Sequence, residues 1–186
     1  MLNATTAGTV SAKIYTKNGD KGLSKTISGY QKLKSDLSFE VLGTCDELNA
    51  SLGLLHLSKK RDLVKTIVCV QSDLFKIGSF FAGVKFTKVE GQWLKKRTTE
   101  IELDIDDIEK KNKLLKNFIL PGGSFESSHL HLSRTVCRRL ERCLIKYSKK
   151  GFPAITVYLN RLSDYLFVLA RFYNDGGKKD IVWKRV

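Results

Sequence analysis

The stretch LVKTIVCVQSDLFKIGSFF, Leu63 to Phe81, decides the fold class. Leu63, Ile67, Val70, Leu74, Ile77 and Phe81 follow one another by steps of four and three residues. A helix turning by about 100° per residue gathers such a series onto one face, whereas a strand scatters it to both sides. The stretch reads as a long amphipathic helix. Further along, Ile155, Leu159, Leu162, Leu166, Leu169 and Tyr173 repeat the pattern after Pro153, a residue suited to the first turn of a helix. Leu130, Cys137, Leu140, Leu144 and Tyr147 line a third segment, expected to run to the basic turn Lys149-Lys150-Gly151. Upstream, Leu48, Leu52 and Leu55 make a stripe behind Thr44 and Glu47, whose spacing matches a capping box. A first helix is therefore expected to begin near Thr44. The charged stretch after Phe81 supports only a short helix around Asp106 to Lys116. No segment shows strand alternation. The expected class is all-α, a helical bundle.

A chain of 186 residues with 42% hydrophobic content suits one domain able to bury a substantial core. No repeat or linker divides it. Met1 to Ala12 are small and polar, without the basic start and apolar middle of a secretion signal. They are expected to form a flexible tail ahead of a single domain over residues 13–186. No apolar run approaches the ~20 residues that span a bilayer, so the expected location is the cytoplasm, or the mitochondrial matrix in a eukaryotic source. Cys45, Cys69, Cys137 and Cys143 lack CxxC spacing and read as reduced core thiols. His56 is alone, and His129 and His131 point to different faces of a helix, so no metal site is expected.

Lys and Arg number 33 against 19 Asp and Glu, a net charge of +14 that attracts anions generally. Runs such as Lys59-Lys60-Arg61 and Lys95-Lys96-Arg97 read as solvated faces. Without aromatics interleaved along a basic stripe, nucleic acid is not an expected partner. The third helical segment is different. Arg134, Arg138 and Glu141 fall on one side of it, adjoining the apolar side rather than opposing it. Guanidinium groups beside a core seam are costly unless an anion meets them, which points to a polyphosphate. In the loop Tyr15 to Lys25, Gly19 and Gly22 permit close backbone approach and Lys17, Lys21 and Lys25 add charge. No GxxxxGK[ST] loop is present. Asn160 sits beside Leu159 and Leu162, where its amide needs partners that an adenosine group supplies. Asp46 suits a helix N-terminus or an arginine partner.

Five motifs then acquire a common meaning. TKNGDKG (Thr16 to Gly22), GTCDELN (Gly43 to Asn49), FILPGGS (Phe118 to Ser124), RTVCRRLER (Arg134 to Arg142) and YLNRLSDYLFVLAR (Tyr158 to Arg171) occur in the order seen in the PduO-type ATP:cob(I)alamin adenosyltransferases. The chain resembles that family from Lys13 nearly to its end. The resemblance implies a five-helix bundle with an ordered N-terminal nucleotide-binding loop, assembling as a homotrimer with active sites between subunits. It implies transfer of the 5′-deoxyadenosyl group of ATP to cob(I)alamin, itself reduced from cob(II)alamin, with release of tripolyphosphate. Mg²⁺ accompanies the ATP, and a flavin reductase and a cobalamin-dependent mutase are the implied neighbours in the reaction sequence. Thr16, Lys17, Asn18, Gly19, Ser24, Lys25 and Lys34 are implied to wrap ATP, with Arg138, Arg139, Glu141, Arg142 and Asn160 meeting it from the helices. Asp46 is implied to pair with Arg134 across the subunit interface, and Phe118 to fill the space below the corrin. Ser24-Lys25, Cys45 and Leu140 depart from the usual residues without removing a charged contact.

Overall fold

Most of the chain lies in five helices: α1 (Leu37–Gly53), α2 (Arg61–Phe81), α3 (Lys88–Glu109), α4 (Phe125–Tyr147) and α5 (Pro153–Phe172). The computed structural model describes residues 15, 17, 19–148 and 152–184. The expected tail Met1 to Ala12, Thr16, Asn18 and the turn Lys149 to Gly151 lie outside them. Helix α4 packs between α1 and α5, with α2 against α1 and α3 against α5. The stripes read from sequence form the core: the α2 series from Leu63 to Phe81 is buried throughout, as are Ile155, Leu159, Leu162, Leu166 and Leu169 of α5. Each such side chain contributes about 2 kcal/mol of transfer free energy, offset by chain entropy.

Two helices begin earlier than expected. Helix α1 starts at Leu37 because the Asp36 carboxylate accepts the Ser38 N–H at 2.8 Å. The Ser38 hydroxyl and N–H hold that carboxyl below its ordinary range. Thr44 is no cap. It lies mid-helix, and its hydroxyl donates to the Glu40 carbonyl at 2.7 Å. Of the short helix expected at Asp106 to Lys116, only Asp106 to Glu109 is helical, as the last turn of α3, which opens at a Thr87/Glu90 capping box, and Lys110 to Lys116 are non-helical. Only Leu94, Thr98 and Ile101 of α3 are fully buried, so its stripe is too narrow to stand out among its charges. Cys69, expected in the core, is exposed, whereas Cys45, Cys137 and Cys143 are buried. Burial, with Asp46 adding to it, pushes the Cys45 thiol up to about 12.

Short strands add detail at the ends of the bundle. The hairpin β1 (Leu23–Lys25) and β2 (Gln31–Leu33) precedes α1, and β3 (Ile119–Leu120) pairs with β4 (Ile181–Val182). The hairpin is docked on the end of α2, where Ile27 N–H donates to Ala82 O at 2.7 Å. Gly83 (φ +114°) permits the approach, since a Cβ there would stand 2.6 Å from Ser28 Oγ.

A buried polar cluster joins three helices. Asp73 on α2 accepts from Arg97 Nε on α3 at 2.9 Å and from the Tyr158 hydroxyl on α5 at 2.8 Å. Removing the carboxylate strands both donors, so Asp73→Ala is expected to lower stability by about 3 kcal/mol. Tyr158→Phe should cost about 1 kcal/mol. Urea unfolding at neutral pH reads both, and equal costs would contradict a shared acceptor.

Candidate functional site

Along α4, Arg134, Arg138 and Arg142 recur every fourth residue and form a stripe at the edge of the core. Among the described residues, none of the three has a carboxylate within ion-pairing distance. Arg134 is half-buried, and its Nε is fully buried with no hydrogen-bond partner. Its guanidinium lies over the Phe167 ring, 5.9 Å from the centroid. Burial, and then the like charge of Arg138, hold its pKa below the ordinary arginine value. Arg138 and Arg142 project into solvent. Arg139, between them, is already engaged by Glu47 of α1.

Asn160 faces the stripe from α5. Its Nδ2 donates to Glu141 Oε1 at 3.3 Å and its Oδ1 accepts from Arg161 Nη1 at 2.7 Å. Arg161 is fixed in turn by Glu102 of α3 at 2.8 Å. The amide expected to lack partners therefore has them within the chain, which locks its orientation. The pairings of Glu47 with Arg139 and of Glu102 with Arg161 carry no sequence signal because each joins two helices.

The glycine-lysine loop is partly described. Lys17 adopts positive φ (59°), Gly19 and Gly22 bracket a turn, and Lys34 N–H donates to Gly22 O at 2.8 Å. Lys34 Nζ lies against Gly19, where a Cβ would stand 2.9 Å away. Ser24 and Lys25 lie on β1. Among the described residues, no hydrogen bond or ion pair joins this hairpin to the α4 stripe. Asp46 is exposed and lines a groove of about 630 Å³ between α1 and α2, with Ile27, Leu42, Leu74, Phe75 and Ala82. It makes no contact with Arg134 in this chain among the described ion pairs.

Phe118 stands at the other end of the bundle, 82% exposed, immediately before β3. It lines a hollow of about 600 Å³ with Leu115, Lys116, Asn117 and Trp183. Trp183, half exposed after β4, belongs to this hollow and had no periodic signal in the sequence. His131 is buried on α4, near Phe167 at 5.8 Å between ring centroids, and its Nδ1 has no partner.

The described residues thus bring together a helical bundle, guanidinium groups without carboxylate partners at the edge of its core, and an exposed aromatic pair at one end. The family model described as cobalamin adenosyltransferase matches residues 14–173. The chain belongs to that family and is a transferase of the PduO type. It is 41% identical over 171 residues to the corrinoid adenosyltransferase MMAB of Bos taurus, covering 86% of this chain and 70% of that one. It is 39% identical over 181 residues to the corrinoid adenosyltransferase of Bacillus subtilis, covering 93% of each. Among solved structures, a variant PduO-type ATP:corrinoid adenosyltransferase from Lactobacillus reuteri, complexed with cobalamin and ATP, superposes with a TM-score of 0.83. Its sequence identity is 31%, covering 93% of this chain and 97% of that one.

Burial holds the His131 imidazole below its ordinary 6.5, with Arg134 adding to the effect and Asp180 opposing it. The unfolded chain takes up a proton near 6.5 that the folded chain refuses until lower pH. Stability fully present above that value is therefore lost as pH falls below it. The urea midpoint is expected to drop between about pH 7.5 and 5.5, and His131→Leu to flatten that drop. A variant with an unchanged slope would remove His131 as its source.

Proposed function

We propose that this chain transfers the 5′-deoxyadenosyl group of ATP to the cobalt of cob(I)alamin, releasing tripolyphosphate, in a homotrimer whose sites lie between neighbouring subunits. The observation that carries this reading is the open guanidinium stripe of Arg134, Arg138 and Arg142 on a chain of this family. Cobalt(I) supplies its own electron pair: a Co–C5′ bond forms, the C5′–O bond breaks, and the pair leaves on the triphosphate oxygen. No general base is required. The protein has to align the two centres and stabilise charge growing on the leaving group.

Arg138 and Arg142, without ion-pair partners among the described residues, suit that charge, and Arg139 is held ready by Glu47. Asn160, locked by Glu141 and Arg161, offers a fixed amide to the nucleoside. Glu141 adds a hard oxygen donor beside the stripe, which fits a magnesium ion carried by the phosphates. When bound, that ion would neutralise part of the phosphate charge. Lys17, Gly19, Ser24, Lys25 and Lys34, with Thr16 and Asn18, would close over ATP from a neighbouring subunit. The separation of hairpin from stripe within one chain supports that arrangement. So does the apolar α1–α2 groove, at whose edge Ile27 (71% exposed) and Phe75 (75% exposed) await cover. Asp46 on that groove is then placed to meet a neighbour's Arg134 and relieve its orphaned charge.

Phe118 would lie under the corrin, excluding water and other lower ligands from cobalt. Four-coordinate Co(II) is easier to reduce, and the electron would come from a flavin reductase, with a cobalamin-dependent mutase receiving the product.

The test supplies ATP, Mg²⁺ and chemically reduced cobalamin and follows adenosylcobalamin formation by absorbance. Turnover is expected, with losses of about 100-fold in Arg138→Ala and Asn160→Ala at unchanged helicity. Wild-type rates in both would sink the site. Phe118→Ala is expected to lose more activity starting from Co(II) than from Co(I), and equal losses would sink its assigned role.

A further inference from the structure

The ring of Phe118 is 82% exposed, so packing does little to hold it. Its place is set by backbone. Trp183 N–H donates to Phe118 O at 2.8 Å, and Ile119 and Leu120 pair with Val182 and Ile181. What fixes that backbone is a buried polar cluster at the end of α5. Arg171 and Asp180 have side-chain exposures of only 6% and 7%. Arg171 Nε donates to Asp180 Oδ2 at 2.7 Å, and its Nη2 donates to the Lys113 carbonyl at 2.6 Å. Asn174 Nδ2 donates to Asp180 Oδ1 at 3.0 Å, while Asn174 Oδ1 accepts from Ser124 N–H at 3.2 Å.

One guanidinium thus ties the run that leads into Phe118 to the strand that pairs just after it. Asn174 ties the loop Pro121-Gly122-Gly123 to the same carboxylate. The glycines leave room for this. Gly177 (φ +78°) passes the Arg171 Nη2, from which a Cβ would stand 2.6 Å, and a Cβ on Gly123 (φ +108°) would overlap Asn174. A buried ion pair of this kind adds little net stability over an apolar filling of equal volume. What directional bonds add is register, which an exposed ring needs and a packed one does not.

We infer that Arg171, Asp180 and Asn174 are positioning residues for the transfer reaction, forming a clamp that holds Phe118 where it meets the lower face of the corrin. The inference rests on the role given to Phe118 above. It predicts that loosening the clamp reproduces the Phe118 defect without touching substrate.

The test compares Asp180→Asn with Arg171→Lys, which keeps the charge but loses one arm, so that a folding failure in one leaves the other. In the full-length enzyme, hydrogen exchange in the segments around Phe118 and Trp183 should quicken. Turnover from preformed Co(I) should stay within about threefold of wild type. Turnover from Co(II), with dihydroflavin as the one-electron donor, should fall by about tenfold or more. In a Phe118→Ala background, Asp180→Asn should cause no further loss from Co(II). Unchanged exchange in both variants overturns the clamp. Faster exchange with equal losses from both cobalt states, or with losses that add to those of Phe118→Ala, overturns its positioning role. If Phe118→Ala alone distinguishes neither state, the reading of Phe118 falls and the positioning role falls with it, while exchange still reports on the clamp by itself.

Discussion

The guanidinium of Arg134 is held against a packed core with no acceptor for its Nε among the described residues, and the proposed site turns on that unmet demand. A charge partly removed from water and left unpaired costs several kcal/mol, more than one surface ion pair returns. The fold tolerates it because α4 is packed on both flanks, by α1 and α5, and cannot rotate the arginine outward without uncovering Leu130, Cys137, Leu140 and Leu144. Arg138 one turn on makes matters worse by repulsion. The isolated chain thus carries an unmet charge, which in the proposed assembly a neighbour's carboxylate or a bound phosphate would relieve. On that proposal, ligand binding and assembly would add stability as well as function.

Much of this was legible in the sequence, for a physical reason. The stripes of α2 and α5 are buried along their whole length, so a period near 3.6 is written in large apolar residues. The arginines of α4 could be placed beside that seam by the same arithmetic. Helix α3 could not, because only Leu94, Thr98 and Ile101 are buried, with Trp93, Ile105 and Ile108 packed at the margin among many charges. The start of α1 was misplaced because a threonine followed three residues later by a glutamate fits a cap and a helix interior equally. The local bond from Ser38 N–H to Asp36, eight residues upstream of Thr44, separates them.

Within the site, residues acting from one helix were found and those acting through another were not. Glu47 orients Arg139 across α1 and α4, and Glu102 reaches Asn160 only by way of Arg161. Arg171 and Asp180 are nine residues apart in a sequence rich in lysine and glycine, with no periodicity to connect them. Pairings of that sort depend on where loops end. Net charge was equally uninformative: +14 describes a surface, whereas the α4 arginines are set apart by their place at the edge of the core.

Transfer to a strong metal nucleophile places an unusual demand on a scaffold, since rate comes from alignment rather than from acid, base or covalent chemistry. Alignment requires that groups on separate helices keep their spacing while the ligands enter. Two buried polar clusters meet this demand at different places. Asp73 locks α2, α3 and α5 through Arg97 and Tyr158, while Asp180 locks the loops at the end of α5 through Arg171 and Asn174. Each carboxylate serves more than one donor, Asp73 from two distant helices and Asp180 from the end of α5 and the turn after it, so neither can be satisfied in a partly slipped arrangement. A purely apolar contact slides at small cost, whereas these bonds are lost altogether by a shift of an ångström or so. The polar interior of this bundle is therefore best understood as fixing register, leaving the hydrophobic stripes to supply stability.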